Sequence, residues 1–263
     1  MRVWRLDVEY EGTRYAGWQA QPHARTVQGE LQQAAGQYLG ARVEVGGSGR
    51  TDAGVHALRQ VAHLKWQGSG RAPDPAQIKA GVNKLLPHDV NLLGVAPART
   101  GFHARHDAVR RYYLYQIATR RTAFGKNFVW WVRDKLDAGA MASACGSLPG
   151  RHDFSSFCES PSEQRSTLVE VERAELLVEG GLILFRVGAS HFLWKMVRRV
   201  VGALVEVGRG NLSAEGFGAM LVRYSNAPAA WTAPPSGLFL ERVVYEGEPP
   251  PGPPRPAFPL TSD

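Results

Sequence analysis

The residue best placed to do chemistry is Asp52, the one acid in "SGRTDAGVHA" (residues 48–57), where it sits among two glycines, a threonine and an arginine. Glycine there allows a tight path with positive φ, which lets main chain come close to something bulky. The plain alternative is a β-connection in which Asp52 satisfies its own backbone as an Asx turn. Arg50 points to the same side of an extended loop, yet it is too local to be the only counterion. A second guanidinium is Arg198 in "HFLWKMVRRVVGALVEVG", where Phe192, Met196, Val200 and Leu204 make a helical core stripe. Arg198 lies near the edge of that stripe, where a partly buried arginine needs an anion; surface solvation explains the same pattern.

The third element is "RRYYLY" (residues 110–115). Alternation puts Tyr112 and Leu114 on one face and Tyr113 and Tyr115 on the other. Aromatic faces beside arginine suit a flipped base, at roughly 1–3 kcal/mol per stacked base, while core packing accounts for some of these tyrosines. His103, His106 and Asp107 suggest a metal-dependent hydrolase only weakly, because no third ligand of suitable spacing accompanies the two imidazoles.

The elements that must position these groups fall into two similar series. Residues 3–10 alternate as a half-buried strand, and Thr26 can cap a helix carrying Val27, Leu31, Ala34, Ala35 and Tyr38 at helical spacing. Strands over 42–45 and 58–66 flank the Asp52 loop. Asp74 and Pro75 start a helix that runs to 86 and stops at Pro87, and 90–96 is the next strand. The second half repeats the order: a strand over 112–119, a helix from Asp137 to about 148, a hairpin over 168–178 and 182–190 around Gly180 and Gly181, a helix over 192–207, a shorter one after Ser213, and a strand over 239–245. The expectation is an α+β fold of two ferredoxin-like (βαββαβ) units, residues 1–107 and 108–246, with largely antiparallel sheets joined across a central active-site cleft.

Lys and Arg number 31 against 24 Asp and Glu, a formal charge of +7, which favours a polyanion such as nucleic acid. Cys145 and Cys158 are too few for a disulfide framework and fit a reducing compartment. The opening "MRVWRLDVEY" has no apolar targeting segment and no run is long enough to span a bilayer, so a soluble, cytoplasmic protein without membrane contact is expected. Residues 247–263 are read from their prolines as a disordered or polyproline-like tail.

"YEGTRYAGWQAQ", "TVQGEL", "SGRTDAGVHA", "GVNKLLP", "FHARHDAVRRYYLY", "HDFSSF", "FLWKMVRRVVGALVEVG" and "GLFLERVVY" occur in this order. Together they resemble the bacterial tRNA pseudouridine synthase A family from about residue 10 to 245, nearly everything but the tail. The resemblance implies the pseudouridine synthase fold and an isomerase that converts uridine to pseudouridine at positions 38, 39 and 40 of the tRNA anticodon stem-loop. It implies no cofactor and no metal, and a homodimer. It makes Asp52 the catalytic aspartate, Tyr112 the tyrosine that stacks on the uracil and helps remove the C5 proton, Arg198 the partner of the aspartate, and Arg50 the residue that helps extrude the nucleotide. Arg105, Arg110, Arg111, Lys195 and Arg199 are further candidates for RNA contact; Lys195 and Arg199 depart from the family pattern and add charge beside Arg198. The reading from another class is a non-catalytic RNA-binding protein of the RRM type, which shares the element order. No segment matches the aromatic RNP1 pattern, and a glycine-wrapped acid would repel phosphate.

Overall fold

The computed structural model describes residues 2–260. The chain divides into two units, Met1–Val109 with Leu240–Pro249 and Arg110–Phe239 with Pro250–Asp263. Each is α+β with largely antiparallel strands.

In the first unit, β1 (Arg2–Tyr10) buries Trp4, Leu6, Val8 and Tyr10, the alternation its sequence requires. Thr26 Oγ1 accepts from Gly29 N to start α1 (Val27–Leu39), which ends at Gly40 in the left-handed region. After β2 (Val43–Gly47) and β3 (His56–Trp66), Asp74 and Gln77 form a capping box that opens α2 (Pro75–Asn83), and β4 (Val90–Pro97) follows. Helix α2 stops three residues before its expected end. Asn83 turns its amide to the strand instead, donating to Leu92 O at 3.1 Å and accepting from Leu92 N at 2.8 Å. The strand order is β4-β1-β3, with β2 antiparallel to the C-terminal half of β3 from Val43↔Trp66 to Gly47↔Ala62. Leu6, Val8, Leu31, Ile78, Val82 and Leu92 are fully buried, each contributing about 1.5–3 kcal/mol by leaving water.

The second unit runs β5 (Ala108–Ala118), β6 (Trp130–Trp131), α3 (Ala138–Cys145), β7 (Gly150–Asp153), β8 (Leu168–Glu179), β9 (Leu182–Ala189), α4 (Met196–Gly208), α5 (Ala214–Ala219) and α6 (Ala227–Ala230). Its strand order is β5-β9-β8-β7, with β6 parallel to the end of β5. The β8–β9 hairpin turns at Gly180 and Gly181 as expected. Helix α4 begins at Met196 rather than 192, because Lys195 takes a left-handed φ of 60 that no helix interior accepts. The last strand, β10 (Leu238–Tyr245), lies next to β3, so residues 240–249 belong to the first unit although the sequence places them at the end of the second.

Residues 247–260 are held in place, in contrast to the disorder expected of them. Arg186 Nη1 donates to Gly252 O at 2.5 Å, and Gln116 Oε1 accepts from Ala257 N at 2.6 Å and Phe258 N at 3.3 Å. The Phe258 ring lies 5.5 Å from that of Phe128, and Leu260 is buried. Prolines remove donors from a segment but leave its carbonyls, and here the remaining groups serve two almost wholly buried polar side chains, Gln116 (0%) and Arg186 (1% exposed). Residues 261–263 of that tail lie outside the described residues.

Candidate active site

The loop that carries Asp52 is fixed mainly by main chain. Trp18 N donates to Thr51 O at 3.1 Å, Gly54 N to Tyr15 O at 3.3 Å, and Val55 N back to Asp52 O at 3.2 Å. Ser48 Oγ donates to Gln60 Oε1 at 2.6 Å while Gln60 Nε2 reaches Gly49 O at 3.1 Å, and Tyr10 Oη lies 2.8 Å from Thr51 Oγ1. The bonds of Thr51 and Gly54 tie the loop to the stretch 10–18, the "YEGTRYAGW" block, and those of Ser48 and Gly49 tie it to Gln60 of β3. Glycine is required where the two segments meet: at Gly17, with φ 100, a Cβ would stand 2.5 Å from Thr51 O, and at Gly12 one would stand 2.0 Å from Val55 O. Thr51 is thereby buried, Asp52 half-buried and Arg50 exposed. A carboxylate held on so constrained a backbone presents its oxygens in one direction without ordering on demand.

Tyr112 is on β5, where it is 1% exposed. Its partner across the ladder is Gly188 of β9, and a Cβ there would come within 2.3 Å of Tyr112 Cε1. The missing side chain lets the ring lie over β9 and reach β8, where its hydroxyl donates to Glu172 Oε2 at 2.8 Å. Burial, and then the carboxylate of Glu172, push the phenol up to about 12, so Tyr112 is a protonated donor at neutral pH. Tyr113 meets Phe192 edge-on at 4.8 Å and Tyr115 donates to Pro234 O at 2.7 Å. Those two tyrosines are packing residues of the opposite face. Arg198, on α4, is half-buried, and its Nε donates to Ala233 O at 2.7 Å.

The other suggested RNA contacts differ sharply in their surroundings. Arg105 is exposed. Arg110 lies with Nε 3.4 Å from Glu172 Oε2, and Lys195 Nζ is 3.2 Å from Glu159 Oε1. Arg111 is buried and donates to Ser190 O at 2.9 Å. Arg199 is also buried, held by Cys158 O at 2.5 Å and by the Glu159 carboxylate. Arg111 and Arg199 are therefore buried ties within the second unit, their guanidinium groups donating to main-chain carbonyls and, for Arg199, to a half-buried carboxylate.

His103 and His106 are loop formers. The rings of His63, His103 and His106 follow one another at 4.6 and 4.2 Å, His63 Nδ1 accepts from Ala104 N, and Asp107 Oδ2 accepts from His103 N and Arg99. Among the described residues no group of His, Cys, Asp and Glu is arranged to hold a metal ion, and no helix is long and apolar enough to cross a membrane. Gly188 and Glu172 are absent from the sequence reading. A glycine in an apolar strand signals a close approach without saying of what, and nothing marks Glu172 among its acidic neighbours.

The model of the family described as tRNA pseudouridine synthase matches residues 8–107 and 144–246. The first segment contains Arg50, Asp52 and Arg105 and the second Lys195, Arg198 and Arg199, with Tyr112 between them. The tRNA pseudouridine synthase A of Chromobacterium violaceum is 41% identical over 251 residues, 94% of each chain. That of Moorella thermoacetica is 41% identical over 246 residues, 92% of this chain and 98% of its own, and that of Citrifermentans bemidjiense 39% over 251 residues, 94% and 98%. The chain belongs to the tRNA pseudouridine synthase family, whose enzymes are isomerases.

Proposed function

We propose that this protein converts uridine to pseudouridine at positions 38, 39 and 40 of the tRNA anticodon stem-loop, with Asp52 as the nucleophile and the target base flipped out of its stack. The observation that carries the reading is the loop of Asp52, a single carboxylate at the turn of a main chain braced from two sides. An ionised carboxylate can add to C6 of the uracil or to C1′ of the ribose and leave again, which lets the base rotate and rejoin through C5. Arg50, exposed two residues away, fills the space the nucleotide vacates and offsets part of the few kcal/mol that flipping costs. Arg198 pairs with the aspartate and aims it, and a two-pronged guanidinium suits that task better than an ammonium. Tyr112, whose ring is covered in the free protein, is uncovered when the base enters, stacks on the uracil and receives the C5 proton. Arg105 and Lys195 contact the RNA backbone. A homodimer and independence from cofactors are carried over from the family resemblance in the same proposal, which also takes a cytoplasmic site of action.

Release of tritium from tRNA labelled at uridine C5, with metals and cofactors omitted, tests this. Wild type should release it and Asp52→Asn should lose on the order of 10⁴-fold in turnover while binding tRNA nearly as well. Tight binding without release by the wild type would leave only the RNA-binding reading standing.

A further inference from the structure

A phenol that stays protonated at neutral pH cannot take up a proton unless it gives its own away. The partner for that exchange is built into β8. In the β8–β9 ladder Val171 pairs with Ala189 and Arg173 with Gly188, so Glu172 is an extra residue, unpaired in a β-bulge. Bulges re-aim a side chain out of the regular alternation, and this one brings the Glu172 carboxylate to the Tyr112 hydroxyl. The ring spans the distance because Gly188, the residue between the two strands, has no side chain. Three local features, the bulge, the glycine and the tyrosine, thus converge on one 2.8 Å hydrogen bond. The charged groups facing it are Arg110 of β5, with Nε 3.4 Å from the same Glu172 oxygen and Nη2 3.9 Å from Glu170, and Arg173 of β8. The Glu172 side chain is 38% exposed, so a proton received there can pass to water.

We propose that Glu172 is the positioning residue and proton acceptor behind Tyr112, acting through the phenol without touching the substrate. The inference rests on the proposed role of Tyr112 in removing the C5 proton. After the base has rejoined the ribose through C5, the C5–H bond breaks and its electron pair forms the C5=C6 double bond, as the C6–O bond to Asp52 breaks and frees the carboxylate or, by the C1′ route, as the N1=C6 double bond returns its pi pair to N1, which takes a proton from water. The proton goes to the Tyr112 oxygen as the hydroxyl proton moves to Glu172 Oε2. Tyr112 ends neutral, Glu172 ends protonated, and the proton leaves to solvent, so no other reactant is needed.

The test is a double-mutant cycle on Glu172→Gln and Tyr112→Phe, with Glu172→Asp as the conservative variant, in single-turnover tritium release at saturating tRNA. Glu172→Gln should lower the rate about 10- to 100-fold, the lower part of the range for general acid–base effects, and leave the tRNA dissociation constant within about twofold. Glu172→Asp should recover part of the rate, and adding Glu172→Gln to Tyr112→Phe should cost nothing further, since the two act as one unit. A second readout needs no activity. Ultraviolet difference titration of each protein against its Tyr112→Phe counterpart should show Tyr112 ionising at lower pH in Glu172→Gln than in wild type, because the carboxylate that raises it is gone. A wild-type rate in Glu172→Gln, or full additivity with Tyr112→Phe, would overturn the inference and leave Asp52 catalysis intact. Wild-type release by Asp52→Asn would instead overturn the proposed function, with the phenol titration still reporting the Tyr112–Glu172 contact.

Discussion

The two units hold their candidate groups by different means. In the first, Asp52 is on a loop, and its direction is set by main-chain hydrogen bonds to residues 10–18 and by glycines where backbone meets backbone. In the second, Tyr112 and Arg198 are on a regular strand and helix, and their directions are set by neighbours: Gly188 beneath the ring, Glu172 at the hydroxyl, the Ala233 carbonyl at Nε. A loop has no ladder of its own, so every bond that fixes it must be supplied from another segment. A strand arrives with its ladder made, and a side chain on it needs only room and a partner. The first unit should therefore be fragile to changes of backbone conformation and the second to changes of side-chain environment.

The largest expected effect is at Gly17. Replacing it by alanine puts a Cβ 2.5 Å from a carbonyl that cannot swing aside, at a φ of 100 that alanine rarely adopts. Backbone strain of about 1–3 kcal/mol adds to the clash, and thermal unfolding with tritium release should show turnover falling more than stability, since the displaced segment is the one that carries Asp52. Unchanged kinetics would mean that the loop tolerates movement and that the bracing is incidental.

Removal of residues 250–263 comes next. Gln116 Oε1 then loses two donors and Arg186 Nη1 loses the Gly252 carbonyl, and one buried polar group left without a partner costs about 1–3 kcal/mol. The melting temperature should drop by several degrees. Hydrogen exchange should quicken in β5 and β9 and stay constant over residues 48–55, which sharpens the contrast between units; equal protection throughout would show that the tail is dispensable.

The smallest effect is expected of Gly188→Ala. Its Cβ meets a ring rather than a carbonyl, 2.3 Å from Tyr112 Cε1, and a ring can turn about its χ angles. Overpacking of that kind costs about 1–3 kcal/mol, and here the lower end applies. Turnover should fall several-fold with tRNA affinity unchanged. A larger loss of stability than Gly17→Ala would reverse the comparison.

How far these features could be read in advance depended on whether they are local. Asp52 stood out because glycines around one acid dictate a bend, and Thr26, Asp74, Asp137 and Ser213 each cap the helix expected of them. The burial of Arg199 was not legible, because a helix pattern tells which residues lie near the apolar stripe and not which acceptors, here Cys158 O and Glu159, come in from another segment. The contacts of the tail were not legible for the same reason, its proline content describing what the segment cannot do by itself. The short strands β6 and β7 carry too few residues for any periodicity.

By itself, then, the sequence determined the alternation of β1, the starts of α1, α2, α3 and α5, the hairpin of β8 and β9, and the family to which the chain belongs. These follow from propensities and caps that act within a few residues, and from ordered blocks that do not depend on contacts. Tertiary structure alone decided that residues 10–18 brace the Asp52 loop, that Gly188 clears the way from Tyr112 to a bulged Glu172, and that residues 252–258 complete Gln116 and Arg186. Each of these joins groups far apart in the chain. The free energy of such a contact comes from satisfying a buried polar atom or filling a fixed space, and both arise only once the elements have packed.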